Sequence, residues 1–211
     1  MTSTVVHGFG RGSTDLGIPT ANLDRSAIKL YKSATDTIHQ SLCFDDLPCG
    51  IYWGFCRIGN TTKENGRDNT TVYKTAVSIG YNPYYKNKEK TIEPHLIAPP
   101  NDSRRHASSC GETYMGDFYD QPIRLSVCGY LRPEAPFEGL DKLVEAIKGD
   151  IVNAEQLWDS KDAPIMEEKE WVAAPNYWIK KMNFVPFFVK HDQCVLGLVL
   201  KETHDLQTTA V

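Results

Sequence analysis

In strand-like segments between residues 50 and 131, such as Ile51 to Phe55 and Ile123 to Leu131, apolar side chains recur at every second position; from Leu140 to Trp158 they recur at every third and fourth. That change of period limits the architectures open to the chain. In Gly50 to Ile58, the side chains of Ile51, Trp53 and Phe55 share one face of an extended segment. Val72 to Gly80 reads as a returning strand after a polar hairpin connection, Gly59 to Thr71, that contains Asn65-Gly66. Lys90 to Ala98 is a further strand, and Thr4 to His7 a short first one. Ile123 to Leu131 alternates, with Ile123, Leu125, Val127 and Leu131 on one side and Arg124, Ser126, Cys128 and Tyr130 on the other. Then Leu140, Leu143, Val144, Ile147, Ile151, Ala154, Leu157 and Trp158 mark one face of a helix. Gly149 interrupts it at a cost of about 1 kcal/mol relative to alanine. Strands first and one main helix late favour an antiparallel barrel over a doubly wound sheet, although periodicity alone does not separate barrel from sandwich.

Composition narrows the function classes. At 211 residues the chain is one domain with room for insertions or a tail. A net charge of −4 without a Lys/Arg cluster argues against non-specific nucleic-acid binding. Met1-Thr2-Ser3-Thr4-Val5 lacks the basic and apolar parts of a leader. No apolar run approaches the roughly 20 residues of a membrane span, so a cytoplasmic chain is expected. Cys43, Cys49, Cys56, Cys110, Cys128 and Cys194 include no C-x-x-C pair and read as reduced packing thiols. The histidines show no H-x₃-H spacing, which argues against a structural zinc site.

The chemistry concentrates in residues 5 to 22. Gly8, Gly10 and Gly12 permit close approach of a ligand to the backbone, and successive N–H groups there can form an anion-binding nest. Arg11 offers a planar fork suited to phosphate. Thr20 and Asn22 carry hard oxygen donors of the kind Mg²⁺ accepts, two residues apart and therefore on one side of an extended segment. Pro19 enforces that extension on Ile18. The stretch matches neither the P-loop nor the dinucleotide pattern, so spacing alone leaves phosphate cradle and flexible loop both open. Glu93, in an apolar-flanked strand before Pro94, is either a proton acceptor or a surface glutamate.

The string Gly8-Phe9-Gly10-Arg11-Gly12-Ser13 followed by Gly17-Ile18-Pro19-Thr20-Ala21-Asn22 resembles the N-terminal signature of the riboflavin kinases. The resemblance resumes at Ser78 to Asn87, at Glu93-Pro94-His95-Leu96, at Gly116-Asp117-Phe118-Tyr119 and at Gly129-Tyr130-Leu131-Arg132-Pro133-Glu134. These blocks run in the family's order and cover most of residues 5 to 158. The resemblance implies a six-stranded antiparallel Greek-key barrel with one packed helix. It implies transfer of phosphate from ATP to riboflavin, giving FMN and ADP. It places ATP contacts at Gly8 and Thr14 and further nucleotide contacts at Leu96, Ala98 and Tyr119; Gly10 and Arg11 join them on chemistry. It places Mg²⁺, with Zn²⁺ or Mn²⁺ as alternatives, on Thr20 and Asn22, the catalytic base at Glu93, and flavin contacts at Arg132, Ala135 and Phe137. Three positions depart from relatives: Thr14 and Ala135 stand where many carry lysine, and Ala98 replaces a polar side chain.

The expected kinase domain is therefore residues 1–159, with insertions near 24–48, 60–71 and 99–113. Within the first insertion, Ile28, Tyr31, Ala34, Ile38 and Leu42 have helical spacing. Residues 160–211 lie outside the family core, where 184–200 read as a packed hairpin followed by a disordered tail. A start four residues ahead of the kinase motif predicts no adenylyltransferase domain. The expected partners are small molecules, and the expected unit is a monomer. Two other functions fit less of the pattern: a non-catalytic flavin- or nucleotide-binding barrel, and an interaction protein using the C-terminal hairpin. Neither needs Thr20, Asn22 and Glu93 together.

Overall fold

The computed structural model describes residues 1–8, 20–28, 44, 47–59, 71–81, 89–103 and 114–174. Six strands form one sheet: β1 (Thr2–Val6), β2 (Asn22–Leu23), β3 (Gly50–Ile58), β4 (Tyr73–Gly80), β5 (Thr91–Ile97) and β6 (Pro122–Arg132). Their order is β2-β1-β6-β3-β4-β5, and every pairing is antiparallel. β3, β4 and β5 follow one another as hairpins, and β6 returns to lie beside β3, which is the Greek-key order. The two ends of the sheet meet. Thr20 bridges His95 antiparallel, and the Ala21 N–H donates to the Pro94 carbonyl at 2.9 Å. That closure removes the free edges and makes the sheet a barrel.

The barrel interior holds one apolar cluster that includes Val5, Leu23, Tyr52, Val77, Ile79, Ile92, Leu96 and Leu125. A second cluster lies outside it: Trp53, Phe55, Ala76 and Ile97 meet Ile151, Ala154, Trp158, Trp171 and Val172 from two helices. These are α1 (Leu140–Trp158) and α2 (Ala163–Ala173). β3 is thus apolar on both faces, and Ile51, Trp53 and Phe55 do share its helix-facing side. The Trp158 indole N–H donates to the Gly54 carbonyl at 2.9 Å, which satisfies the one polar atom that this large side chain buries.

Several expectations need correction. Leu131 does not share a side with Ile123 and Leu125. Register shifts at Ile51/Tyr52 and Trp53/Gly54 insert extra residues into β6. The second, where Cys128 is the extra residue, turns Tyr130 towards Tyr52, and the rings meet edge to face at 5.1 Å; Cys128 and Leu131 join the outer cluster. β1 begins at Thr2 rather than Thr4 and ends at Val6. β2 has no counterpart in the sequence reading. α2 has none either; it is held by the Arg124 side chain, whose Nη1 donates to the carbonyls of Trp171 at 2.7 Å and Ala174 at 2.5 Å. A cation there also meets the negative end of the helix. Within the first insertion, Arg25–Ala27 forms a 3-10 turn capped by Asp24; the helix expected beyond Ile28 and the hairpin at 184–200 lie outside the described residues. Among the described residues, no helix is long and apolar enough to cross a membrane.

Candidate active site

Barrel closure brings the expected metal pair, Thr20 and Asn22, to the strand that carries Glu93. Ala21 and Leu23 point into the core, so Thr20 and Asn22 project to the outer face. From the Thr20–His95 bridge, the chain leads towards Asn22 as β5 leads back towards Glu93, because the register is antiparallel. Asn22 is held from the other side by Gly8. A Cβ built on Gly8 would lie 2.1 Å from the Asn22 side-chain nitrogen, so any other residue there would displace the amide. The two donors are a hydroxyl and an amide oxygen, both hard and neutral, and they suit a cation whose remaining ligands are phosphate oxygens and water. Among the described residues, no group of three or more His, Cys, Asp or Glu side chains could hold a metal alone.

Glu93 lies opposite Ser78 across the β4–β5 pair. It is half-buried, and its Oε1 accepts from the Thr91 hydroxyl at 2.9 Å. Burial pushes its carboxyl above the ordinary glutamate value, and the Thr91 bond offsets part of that rise. A second carboxylate, Glu134, stands nearby and was not singled out from sequence. Ser78 donates to its Oε1 at 3.5 Å. It sits where the missing side chain of Gly80 would be, 2.1 Å from an added Cβ. Burial raises Glu134 first; the Ser78 bond opposes this, the Glu93 charge adds to it, and Arg132 opposes it.

The expected flavin residues follow β6. Arg132 directs Nε to Asp150 Oδ1 at 2.6 Å and Nη2 to Oδ2 at 2.7 Å. Its guanidinium carbon lies 5.7 Å from the centre of the Phe137 ring. Ala135 is exposed on the connecting segment. Of the nucleotide residues, Tyr119 is exposed and stacks on His7 with ring centres 3.6 Å apart. The Leu96 side chain is in the barrel core, and Ala98 is buried too, so both can meet a nucleotide only through the backbone. Gly10, Arg11 and Thr14 lie outside the described residues. His7, Glu134 and Asp150 contact the expected site residues and were not singled out from the sequence. Glu134 sits within a quoted motif and His7 immediately before one; Asp150 falls on the apolar stripe of α1, which is the signal that could have found it.

The family model for riboflavin kinase (Flavokinase) matches residues 1–158. The chain belongs to the riboflavin kinase family. Riboflavin kinase of Mus musculus is 37% identical over 155 residues, spanning 74% of this chain and 77% of its own. That of Homo sapiens is 36% identical over 152 residues, spanning 72% and 76%. That of Aspergillus fumigatus is 34% identical over 165 residues, spanning 71% of each. A solved riboflavin kinase from Trypanosoma brucei superposes with a TM-score of 0.46 at 19% identity, over 88% of this chain and 89% of that one. The match to the riboflavin kinase model ends at Trp158, so α2 lies beyond it.

Proposed function

We propose that the chain is an ATP:riboflavin 5′-phosphotransferase that forms FMN and ADP, with Glu93 as the proton acceptor. The observation that carries this reading is the position of Glu93: a half-buried carboxylate on the seam where closure delivers Thr20 and Asn22. Arg132, Ala135 and Phe137 receive the flavin, and Phe137 offers it a flat apolar face. Gly8, Gly10, Arg11, Thr14, Leu96, Ala98 and Tyr119 receive the nucleotide, with Leu96 and Ala98 acting through their backbone.

The riboflavin 5′-oxygen attacks the γ-phosphorus. The new O–P bond forms as the bond to the ADP oxygen breaks, and the hydroxyl proton passes to a Glu93 carboxylate oxygen. A raised proton affinity suits Glu93 to that task, while the Thr91 hydroxyl keeps one of its oxygens oriented. Mg²⁺, held by the Thr20 hydroxyl and the Asn22 carbonyl oxygen, would neutralise phosphate charge when bound. Mn²⁺ and Zn²⁺ are alternatives for the same donors. Without the lysines of many relatives at 14 and 135, substrate phosphate and flavin meet less positive charge here.

In this reading residues 1–159 form the catalytic barrel, and the unit is a cytoplasmic monomer acting on two small molecules, without nucleic acid or membrane. Incubation with riboflavin, ATP and Mg²⁺ followed by chromatography tests the activity. FMN formation that requires both ATP and the divalent cation supports it; binding of riboflavin without FMN formation overturns it.

A further inference from the structure

α1 presents an apolar stripe to the barrel, and Asp150 sits on that stripe between Ile147, Ile151 and Ala154. It is 5% exposed. A carboxylate there is costly unless it is paired. Its partner is Arg132, with two parallel contacts of 2.6 and 2.7 Å, the fork-to-fork arrangement that fixes a guanidinium plane. A buried ion pair of this kind adds little net stability over apolar side chains of similar size. What it supplies is direction. The remaining terminal nitrogen, Nη1, donates to the Pro133 carbonyl at 3.1 Å, which sets the course of the chain as it leaves β6. Four residues later Phe137 lies against the same guanidinium. Helix, strand end and following segment are thus joined through one arginine.

We propose that Asp150 is a positioning residue for riboflavin recognition: through Arg132 it fixes the wall, Arg132 and Phe137, against which the flavin ring packs. The inference rests on riboflavin being the substrate. It also accounts for how Arg132 meets the flavin. Nε and one N–H of Nη2 are committed to Asp150, so the arginine offers its flat face and edge rather than a free fork. Removing Asp150 would let the guanidinium swing and the Phe137 segment lose its anchor, while Thr20, Asn22 and Glu93 are held by strand pairing that does not involve Asp150.

Two variants test this. Asp150→Asn keeps the shape and removes the charge. Arg132→Lys keeps the charge but cannot bridge two oxygens. Riboflavin affinity is read from flavin fluorescence with ADP and Mg²⁺ present, and the KM for ATP from FMN formation. Each variant should weaken riboflavin by about tenfold, the scale of a misplaced binding group, with the ATP KM changed less than about twofold. In a Phe137→Ala background, Asp150→Asn should add less than about threefold, because the wall is already lost. Unchanged riboflavin affinity in folded Asp150→Asn overturns the inference. So does equal weakening of riboflavin and ATP, or the full effect in the Phe137→Ala background. If Asp150→Asn does not fold, Asp150→Glu, which keeps the charge and displaces the carboxylate from the guanidinium, decides by the same readouts. A wild-type protein that binds no riboflavin overturns the substrate reading as well, which separates the two failures.

Discussion

The outer face of the barrel carries two regions built from the same strands. On β4, Ala76 is buried beneath the helices, and Ser78, one pleat further on, faces Glu93 and Glu134. On β5, Ile97 belongs to the helix-covered cluster, and Glu93 lies two pleats away in the site. One region is apolar, closed by Trp158, Trp171 and Val172; the other is a set of hydroxyls, amides and carboxylates that are half-buried or exposed. The difference teaches that this barrel separates stability from chemistry along a strand and not between domains. Register is what keeps them apart, since a one-residue slip would put Glu93 into the core and Ile92 outside.

If that separation holds, each region can be damaged without the other. Trp158→Ala should cost about 3–5 kcal/mol of stability by opening a cavity under α1 and stranding the Gly54 carbonyl. The rate per folded molecule should stay within about threefold, read by urea unfolding alongside FMN formation under native conditions. A rate loss that persists in fully folded protein would join the regions. Asn22→Ala is the reverse case. Turnover should fall at least about a hundredfold, or ~2.7 kcal/mol, while the thermal midpoint holds. Near-normal turnover would remove the metal assignment. Phe137→Ala should weaken riboflavin by about 1–3 kcal/mol, since the ring loses a buried apolar partner. Unchanged riboflavin affinity would return Phe137 to a packing role.

The smallest effect concerns pH. Burial raises the Glu93 pKa in the folded state, so the folded protein binds that proton more tightly than the unfolded chain. Its ionised form therefore opposes folding, fully so above the folded pKa and not at all below the unfolded value of about 4.3. Glu93→Gln should raise the thermal midpoint at pH 7, with the gain closing as pH falls below about 4. A lower midpoint at pH 7 would mean that the charge stabilises the fold.

Much of the fold was legible where side chains repeat with one period over enough residues. The helix from Leu140 to Trp158 and the strands β3, β4 and β6 were of that kind. β2 was not, because two residues carry no period and only pairing with β1 and the Thr20 bridge define it. Tyr130 and Leu131 were misplaced because bulges change the alternation from within, and nothing local in β6 marks them. α2 went unseen because its stripe is short: of its residues only Trp171 and Val172 are buried, and its anchors, Arg124 and Ser126, lie more than 40 residues earlier in sequence. In the site, Thr20, Asn22 and Glu93 could be named from motif and chemistry. Their meeting at one seam depends on barrel closure, and Asp150, although its place on the apolar stripe of α1 sets it apart, has no partner until Arg132 is placed against it.

The role proposed for Glu93 is to accept the proton from the attacking hydroxyl. Glu93→Gln preserves size and shape and removes the acceptor charge. Single-turnover FMN formation at saturating ATP, riboflavin and Mg²⁺ isolates the chemical step. A positioned base is worth typically 10²–10⁴-fold, and a loose transition state does not require early deprotonation, so a loss of about 10²–10³-fold is expected. Riboflavin and ATP affinities should change little, because the base acts as the transition state forms. A loss below about tenfold in a folded protein would contradict the account: Glu93 would then only orient the substrate, and the proton would leave by another route.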